Sequence, residues 1–206
     1  MVKAIALNAT LKAKSGEPSS TDKMIELIRD ELAKFGTEWL GTIRLAEHDI
    51  KPGVTSDEGV GDAWPELRRR ILEADLLVFG TPIWLGQLAS PAKRVLERMD
   101  AFLSEADDKG RLPTTGKLAV AAIVGNEDGA HRVSADLFQA LNDVGWTIPP
   151  GGAAYWVGEA MGKIDFKDLP EVPAKVTETV AMLASSAHHL ADLLGDKGFP
   201  GVGKNR

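Results

Sequence analysis

The chain has 206 residues, with 30 acidic against 24 basic side chains, a formal net charge of −6 and no cysteine. That length suits one α/β domain with a full core, and the acidic balance argues against a nucleic-acid-binding face. The lack of cysteine removes disulfides, thiol nucleophiles, iron–sulfur clusters and zinc-thiolate centres, so any redox chemistry needs a bound organic cofactor. The opening MVKAIAL enters a strand pattern without the features of a signal peptide, and no run approaches the roughly 18 apolar residues that span a bilayer. The expected location is the cytoplasm, with no membrane segment.

Val2 to Leu7 reads as a buried strand, followed by Asn8, Ala9, Thr10, Leu11, Lys12 and the polar stretch AKSGEPSSTD. A helix is expected from Thr21 to Phe35, with Met24, Ile25, Ile28 and Leu32 on its apolar face and Gly36 as its stop. Ser19, Ser20 and Thr21 crowd its start. Ordinary N-capping needs one of these hydroxyls; the surplus suits an anion cradle in which helix amides, hydroxyls and Lys12 surround a phosphate. No Walker pattern or GxGxxG is present, which disfavours nucleoside triphosphates and the standard dinucleotide fold.

Glu38 to Leu45 is the second expected strand, His48 to Asp62 a connection, and Trp64 to Ala74 a helix whose Arg68, Arg69 and Arg70 lie on a solvated face. Leu76 to Phe79 is a short apolar run of the kind buried on both faces of a parallel sheet. It is expected to end at Gly80. A loop of Thr81, Pro82, Ile83, Trp84, Leu85 and Gly86 follows, before Ser90 as N-cap and Pro91 open a helix with Ala92, Val95, Leu96 and Met99 facing the sheet. Trp84 in such a loop suits either a flat, partly polar ring system or a contact with another subunit.

Lys117 to Val124 is the fourth expected strand, and its end carries Gly125, Asn126, Glu127, Asp128, Gly129, Ala130 and His131. The glycines allow close backbone approach, while Asp128 also suits a cap for the helix from Ala130 to Val144. A fifth strand region runs from Trp146 through GGAAYWVG, Glu159 to Val172 is irregular, and a last helix spans Val176 to Leu194. His188 and His189 are adjacent on that helix and point apart, so no metal site is expected. Residues 1–194 are read as one domain and 195–206, rich in glycine, as a flexible tail.

Alternating strands and helices of this kind imply a doubly wound three-layer α/β sandwich around a five-stranded parallel sheet, order 2-1-3-4-5. That order gathers the loops after the first, third and fourth strands on one edge, where ligands of open α/β sheets bind.

At these three loops the sequence resembles the flavodoxin-like NADPH-dependent FMN reductases and the related NAD(P)H:quinone oxidoreductases. The motifs are Asn8-Ala9-Thr10-Leu11-Lys12 with Ser19-Ser20-Thr21, then TPIWLGQLASPAK, then GNEDGAH. The first loop departs from the family pattern: Ala9 replaces a glycine, Lys12 an arginine, and KSGEP lengthens the turn. The resemblance implies that Thr10, Lys12, Ser19, Ser20 and Thr21 hold the phosphate of FMN. It assigns Thr81, Pro82, Ile83, Trp84, Leu85 and Gly86 to the flavin ring, and Gly125, Asn126, Glu127, Asp128 and Gly129 to the rest of the pocket, with His131 as a neighbour. It further implies hydride passage from NADPH or NADH through FMN to a quinone, flavin or similar small acceptor, in a homo-oligomer. Such a cycle needs no side chain as acid or base, so no catalytic residue is assigned. A flavodoxin-type electron carrier, or a flavin-free binding protein on the same fold, are the rival readings.

Overall fold

The computed structural model describes residues 1–13 and 16–202; positions 14–15, in the polar connection after the first strand, and 203–206, at the end of the expected tail, lie outside the described residues. The strands are β1 (Lys3–Asn8), β2 (Glu38–Arg44), β3 (Leu76–Trp84), β4 (Gln87–Leu88), β5 (Leu118–Gly125) and β6 (Ala153–Val157), and the helices α1 (Ser20–Ala33), α2 (Trp64–Leu72), α3 (Ser90–Met99), α4 (Ala130–Asp143) and α5 (Ala174–Lys197). The parallel sheet runs β2-β1-β3-β5-β6, which is the expected order once the short β4, antiparallel to the end of β3, is counted. Short 3₁₀ turns lie at Leu45–Glu47, Asp100–Ser104 and Phe166–Asp168.

Alternation along the central strands divides the core into two layers. Ile5, Leu7, Leu77, Phe79, Ala121 and Ile123 pack against α2, α3 and α4 through residues such as Ile71, Val95, Met99 and Leu137. Ala4, Ala6, Val78, Val120 and Ala122 pack on the other face against Met24, Ile28 of α1 and Val180, Leu183 and Ala187 of α5. Strands flanked by helices on both sides must be apolar at successive positions, and this is why their sequences read as unbroken runs.

Three local expectations are corrected. β3 continues through Thr81 and Pro82 to Trp84 instead of stopping at Gly80. β1 ends at Asn8, opposite Gly80, while β5 stays paired with β3 as far as Pro82. Beyond Gly80 one side of β3 is therefore an edge, and an edge tolerates a proline that lacks an N–H. Ser90 is not the N-cap of α3; that position is Ala89, whose N–H donates to Thr81 Oγ1 at 3.1 Å. α5 extends past Leu194 to Lys197, and Val202 N–H donates to Lys109 carbonyl at 2.8 Å.

The connection between β2 and α2 is organised by a buried ion pair. Arg98 and Asp62 are fully buried at their side chains, with Nη2 and Oδ2 2.8 Å apart. Arg98 also donates to the carbonyls of Thr55 and Lys51, and Asp62 accepts from the amides of Lys51, Glu58 and Trp64. Burial pushes the Asp62 pKa up, but Arg98 and those amides outweigh it and hold it down to about 2, from 3.8. The stabilisation from this depressed carboxyl is fully present above pH 3.8 and is lost as pH falls through about 2. Replacing Arg98 by Met leaves a buried, uncompensated carboxylate and should cost about 3 to 5 kcal/mol in urea unfolding at neutral pH. The cost should shrink toward pH 2, where Asp62 can take up a proton.

Candidate functional site

The site begins where α1 starts. Ser19 is the N-cap of a capping box: its Oγ accepts from Asp22 N–H at 3.1 Å and donates to Asp22 Oδ2 at 2.8 Å, while Ser19 N–H donates to the same carboxylate at 3.0 Å. Lys23 N–H closes on the Ser19 carbonyl. The amides of Ser20 and Thr21 are left without an intrahelical acceptor and form the positive end of the helix dipole.

Asp22 also accepts from Asn8 Nδ2 at 2.5 Å and from Arg44 Nη2 at 2.6 Å. Arg44, the last residue of β2, donates in addition to the Glu17 carbonyl at 2.9 Å, and Asn8 Oδ1 accepts from Thr10 N–H at 2.9 Å. The ends of β1 and β2 are thus tied to one carboxylate at the helix start. The helix start in turn presses on β3: a Cβ added at Gly80 would lie 2.7 Å from Thr21 Cγ2 and 2.6 Å from Ile25 Cδ1. Only glycine leaves room there.

The second wall is the β3–β4 hairpin. Its central residues, Leu85 and Gly86, both have positive φ, at 53° and 72°, the pattern of a type I′ turn. Leucine pays for that conformation, and Leu85 N–H is held by Glu127 Oε1 at 2.6 Å. Trp84 is 53% and Leu85 90% exposed. The β5–α4 loop closes against the hairpin at Gly129, where an added Cβ would lie 2.8 Å from Gly86 Cα.

A third wall comes from the segment after β6. Gly158 N–H donates to the Gly125 carbonyl and Met161 N–H to the Asn126 carbonyl. Asn126 Nδ2 donates to Asp165 Oδ1 at 2.9 Å. Farther along, Lys167 N–H donates to Ser20 Oγ at 3.2 Å, and Lys23 Nζ donates to the carbonyls of Phe166, Lys167 and Leu169. Phe166 is buried against Trp156, with ring centroids 5.4 Å apart.

These walls enclose a cavity of about 450 Å³. Of the residues named from sequence, Thr10, Lys12, Ser19, Ser20 and Thr21 line one part, and Pro82, Ile83, Trp84, Leu85, Gly125, Asn126 and Glu127 line another. Thr81, Gly86, Asp128, Gly129 and His131 lie outside its lining. Thr81 is fully buried, its hydroxyl bridging Ala89 N–H and the Pro82 carbonyl, so it fastens the base of the hairpin. Gly86 and Gly129 spend their missing side chains on each other. Asp128 accepts from its neighbour Gly129, and His131 Nε2 is 3.0 Å from Tyr155 OH. Residues that sequence reading missed are Leu11, Val124, Trp156, Met161, Asp165 and Phe166. Trp156 was findable, since the end of β6 falls on the same sheet edge; Asp165 and Phe166 sit in an irregular stretch with no local signal.

Chemically, one end of the cavity offers two helix amides, the Thr21 and Thr10 hydroxyls and Lys12. Lys12 Nζ is shared with the Pro18 carbonyl at 2.9 Å and Glu17 Oε1 at 3.3 Å. The Ser19 hydroxyl is committed to its cap, and Ser20 Oγ accepts from Lys167 while its proton stays free to donate. The other end is apolar, with polar atoms at its margin. Such a donor set fits an elongated ligand with an anionic group at one end and a flat ring at the other. Among the described residues, no cluster of three or more His, Asp or Glu could hold a metal ion, and no helix is long and apolar enough to cross a membrane.

Comparison with known proteins matches residues 2–161 to the family model described as NADPH-dependent FMN reductase. The chain is 32% identical over 205 residues to 8-demethyl-8-aminoriboflavin-5'-phosphate synthase of Streptomyces davaonensis, covering 94% of this chain and 78% of that protein. It is 39% identical over 163 residues to the divalent metal cation transporter MntH of Mycobacterium bovis, a match that covers 77% of this chain and spans 24% of that protein. Its structure superposes on the crystal structure of RosB with bound 8-demethyl-8-formylriboflavin-5'-phosphate at a TM-score of 0.86, with 30% identity, covering 97% of this chain and 82% of that one.

The Leu85–Glu127 bond predicts a local effect. Replacing Glu127 by Ala removes a charge-assisted acceptor worth about 1 kcal/mol, so hydrogen exchange at the Leu85 amide should accelerate roughly fivefold to tenfold. Amides in the middle of β5 should be unaffected.

Proposed function

The chain belongs to the NADPH-dependent FMN reductase family, and from that membership we propose that it binds FMN in this cavity and works as an NAD(P)H-dependent oxidoreductase on a small acceptor. Ser20 and Thr21, through backbone amides and hydroxyls, would hold the phosphate with Thr10 and Lys12. Pro82, Ile83, Trp84 and Leu85 would wall the ring, and Gly125, Asn126 and Glu127 would meet its polar margin. The observation that carries this reading is the joining of a helix-terminal anion cradle and an apolar slot in one cavity.

When bound, FMN supplies the redox chemistry, taking a hydride from NAD(P)H and passing electrons to a quinone, free flavin or similar acceptor. The protein's part is binding, orientation and control of access. The amides at the start of α1 are fixed before the ligand arrives, because the capping box and Arg44 already determine where they point, so little ordering cost falls on binding. Exposed Trp84 and Leu85 leave the hairpin side open to a second substrate.

A second reading is favoured by the likeness to the synthase and to RosB, whose names describe flavin phosphates altered at position 8: here a flavin phosphate would be the substrate itself.

Protein loaded with FMN, desalted and mixed anaerobically with NADPH or NADH separates these. Bleaching of the yellow colour, with flavin of unchanged mass recovered afterwards, is the expected result. Persistent colour would point to an electron carrier, and a changed flavin mass to the second reading. Replacing both Ser20 and Thr21 by Ala should weaken FMN binding by about 1 to 3 kcal/mol in a fluorescence titration.

A further inference from the structure

We propose that Asp165 is a ligand-contacting residue whose carboxylate accepts hydrogen bonds from the polyol chain joining the ring of a flavin mononucleotide to its phosphate. This rests on the FMN-binding reading, and it holds equally if the flavin phosphate is the substrate.

The position of Asp165 is fixed from two sides. On one side its Oδ1 accepts from Asn126 Nδ2 at 2.9 Å, in the loop at the end of β5 that lines the ring part of the cavity. On the other, two residues along the chain, Lys167 N–H rests on Ser20 Oγ at 3.2 Å, in the anion cradle. Asp165 is the residue before the 3₁₀ turn Phe166–Asp168, so the two contacts sit at the start and within that turn. Asp165 therefore spans the interval between cradle and ring slot, on the wall of the cavity. The segment is not loosely laid there: Lys23 Nζ binds the carbonyls of Phe166, Lys167 and Leu169, and Phe166 is buried.

The chemistry of the carboxylate selects what can face it. An ionised Asp only accepts, with about four lone-pair directions across two oxygens. Asn126 takes one of these, and Lys167 Nζ makes a long ion pair with Oδ2 at 3.6 Å. The side chain is half exposed and belongs to the cavity lining, so acceptor capacity remains there. A phosphate cannot satisfy it, being an acceptor of the same sign, and the ring offers a single donor, the N3–H of its polar edge. The part of a flavin mononucleotide that consists of donors is the row of hydroxyls between the two.

The test titrates three flavins by fluorescence: FMN, riboflavin, which keeps the polyol without the phosphate, and lumiflavin, which has neither. Asp165→Ala should weaken FMN and riboflavin by a similar factor, about tenfold, and leave lumiflavin within about twofold. Asp165→Asn, which keeps one acceptor oxygen, should fall between that variant and the parent. Equal weakening of all three flavins would mean that Asp165 braces the wall or accepts from the ring N3–H and would overturn the inference, as would no change for any of them. Tighter FMN binding in Asp165→Ala, with riboflavin unchanged, would show repulsion from the phosphate and would overturn it too. Failure of the unmutated protein to bind FMN would refute the functional reading and this inference with it, and that outcome is distinct because it appears before any substitution.

Discussion

One carboxylate determines where the cavity-lining edge of this protein stands. Asp22 receives Ser19 N–H and Oγ, Asn8 Nδ2 and Arg44 Nη2. Those donors come from the start of α1, the end of β1 and the end of β2, so a single group fixes three elements relative to each other. The Arg44 guanidinium, 2.6 Å from Asp22 Oδ2, offsets the charge of that carboxylate at the helix start. The capping box also divides labour among the hydroxyls: Ser19 closes the helix, and the amides of Ser20 and Thr21 remain for something outside the protein. The missing side chain of Gly80 then lets this helix end lie directly on β3, the strand that continues into the hairpin wall.

The sheet was legible in the sequence for a physical reason. A strand covered by helices on both faces has to be apolar at every position, and AIAL, LLVF and LAVAAIV cannot be read as anything exposed. Their order follows from right-handed crossovers. Pro82 misled the reading of β3, because proline normally ends a strand; here the partner strand β1 has already stopped, so the missing N–H costs nothing. The cluster of hydroxyls at the start of α1 was legible, although which of them caps the helix required coordinates. Thr81 looked like a ligand residue from its place in a loop motif and is a buried brace instead.

The wall built from residues 158–169 was not legible. Its composition is polar and irregular, its anchors lie more than a hundred residues away at Ser20 and Lys23, and no period or turn signal announces contacts at such separation. The cost of closing a long chain segment grows slowly with its length, so a few well-placed bonds suffice to hold it. They bring Asp165 and Phe166 into the wall of the cavity. Glu127 and Asp165 bring carboxylates to the cavity wall, and Lys12 lies near the start of α1. A ligand carrying its negative charge in a terminal phosphate meets this field in one orientation.

The most direct measurement is a crystal structure of the protein grown with FMN. The account predicts phosphate density on the amides of Ser20 and Thr21, and the ring between the hairpin at Trp84–Leu85 and the loop at Gly125–Glu127. A phosphate placed away from the start of α1, or a flavin bound outside this cavity, would contradict it.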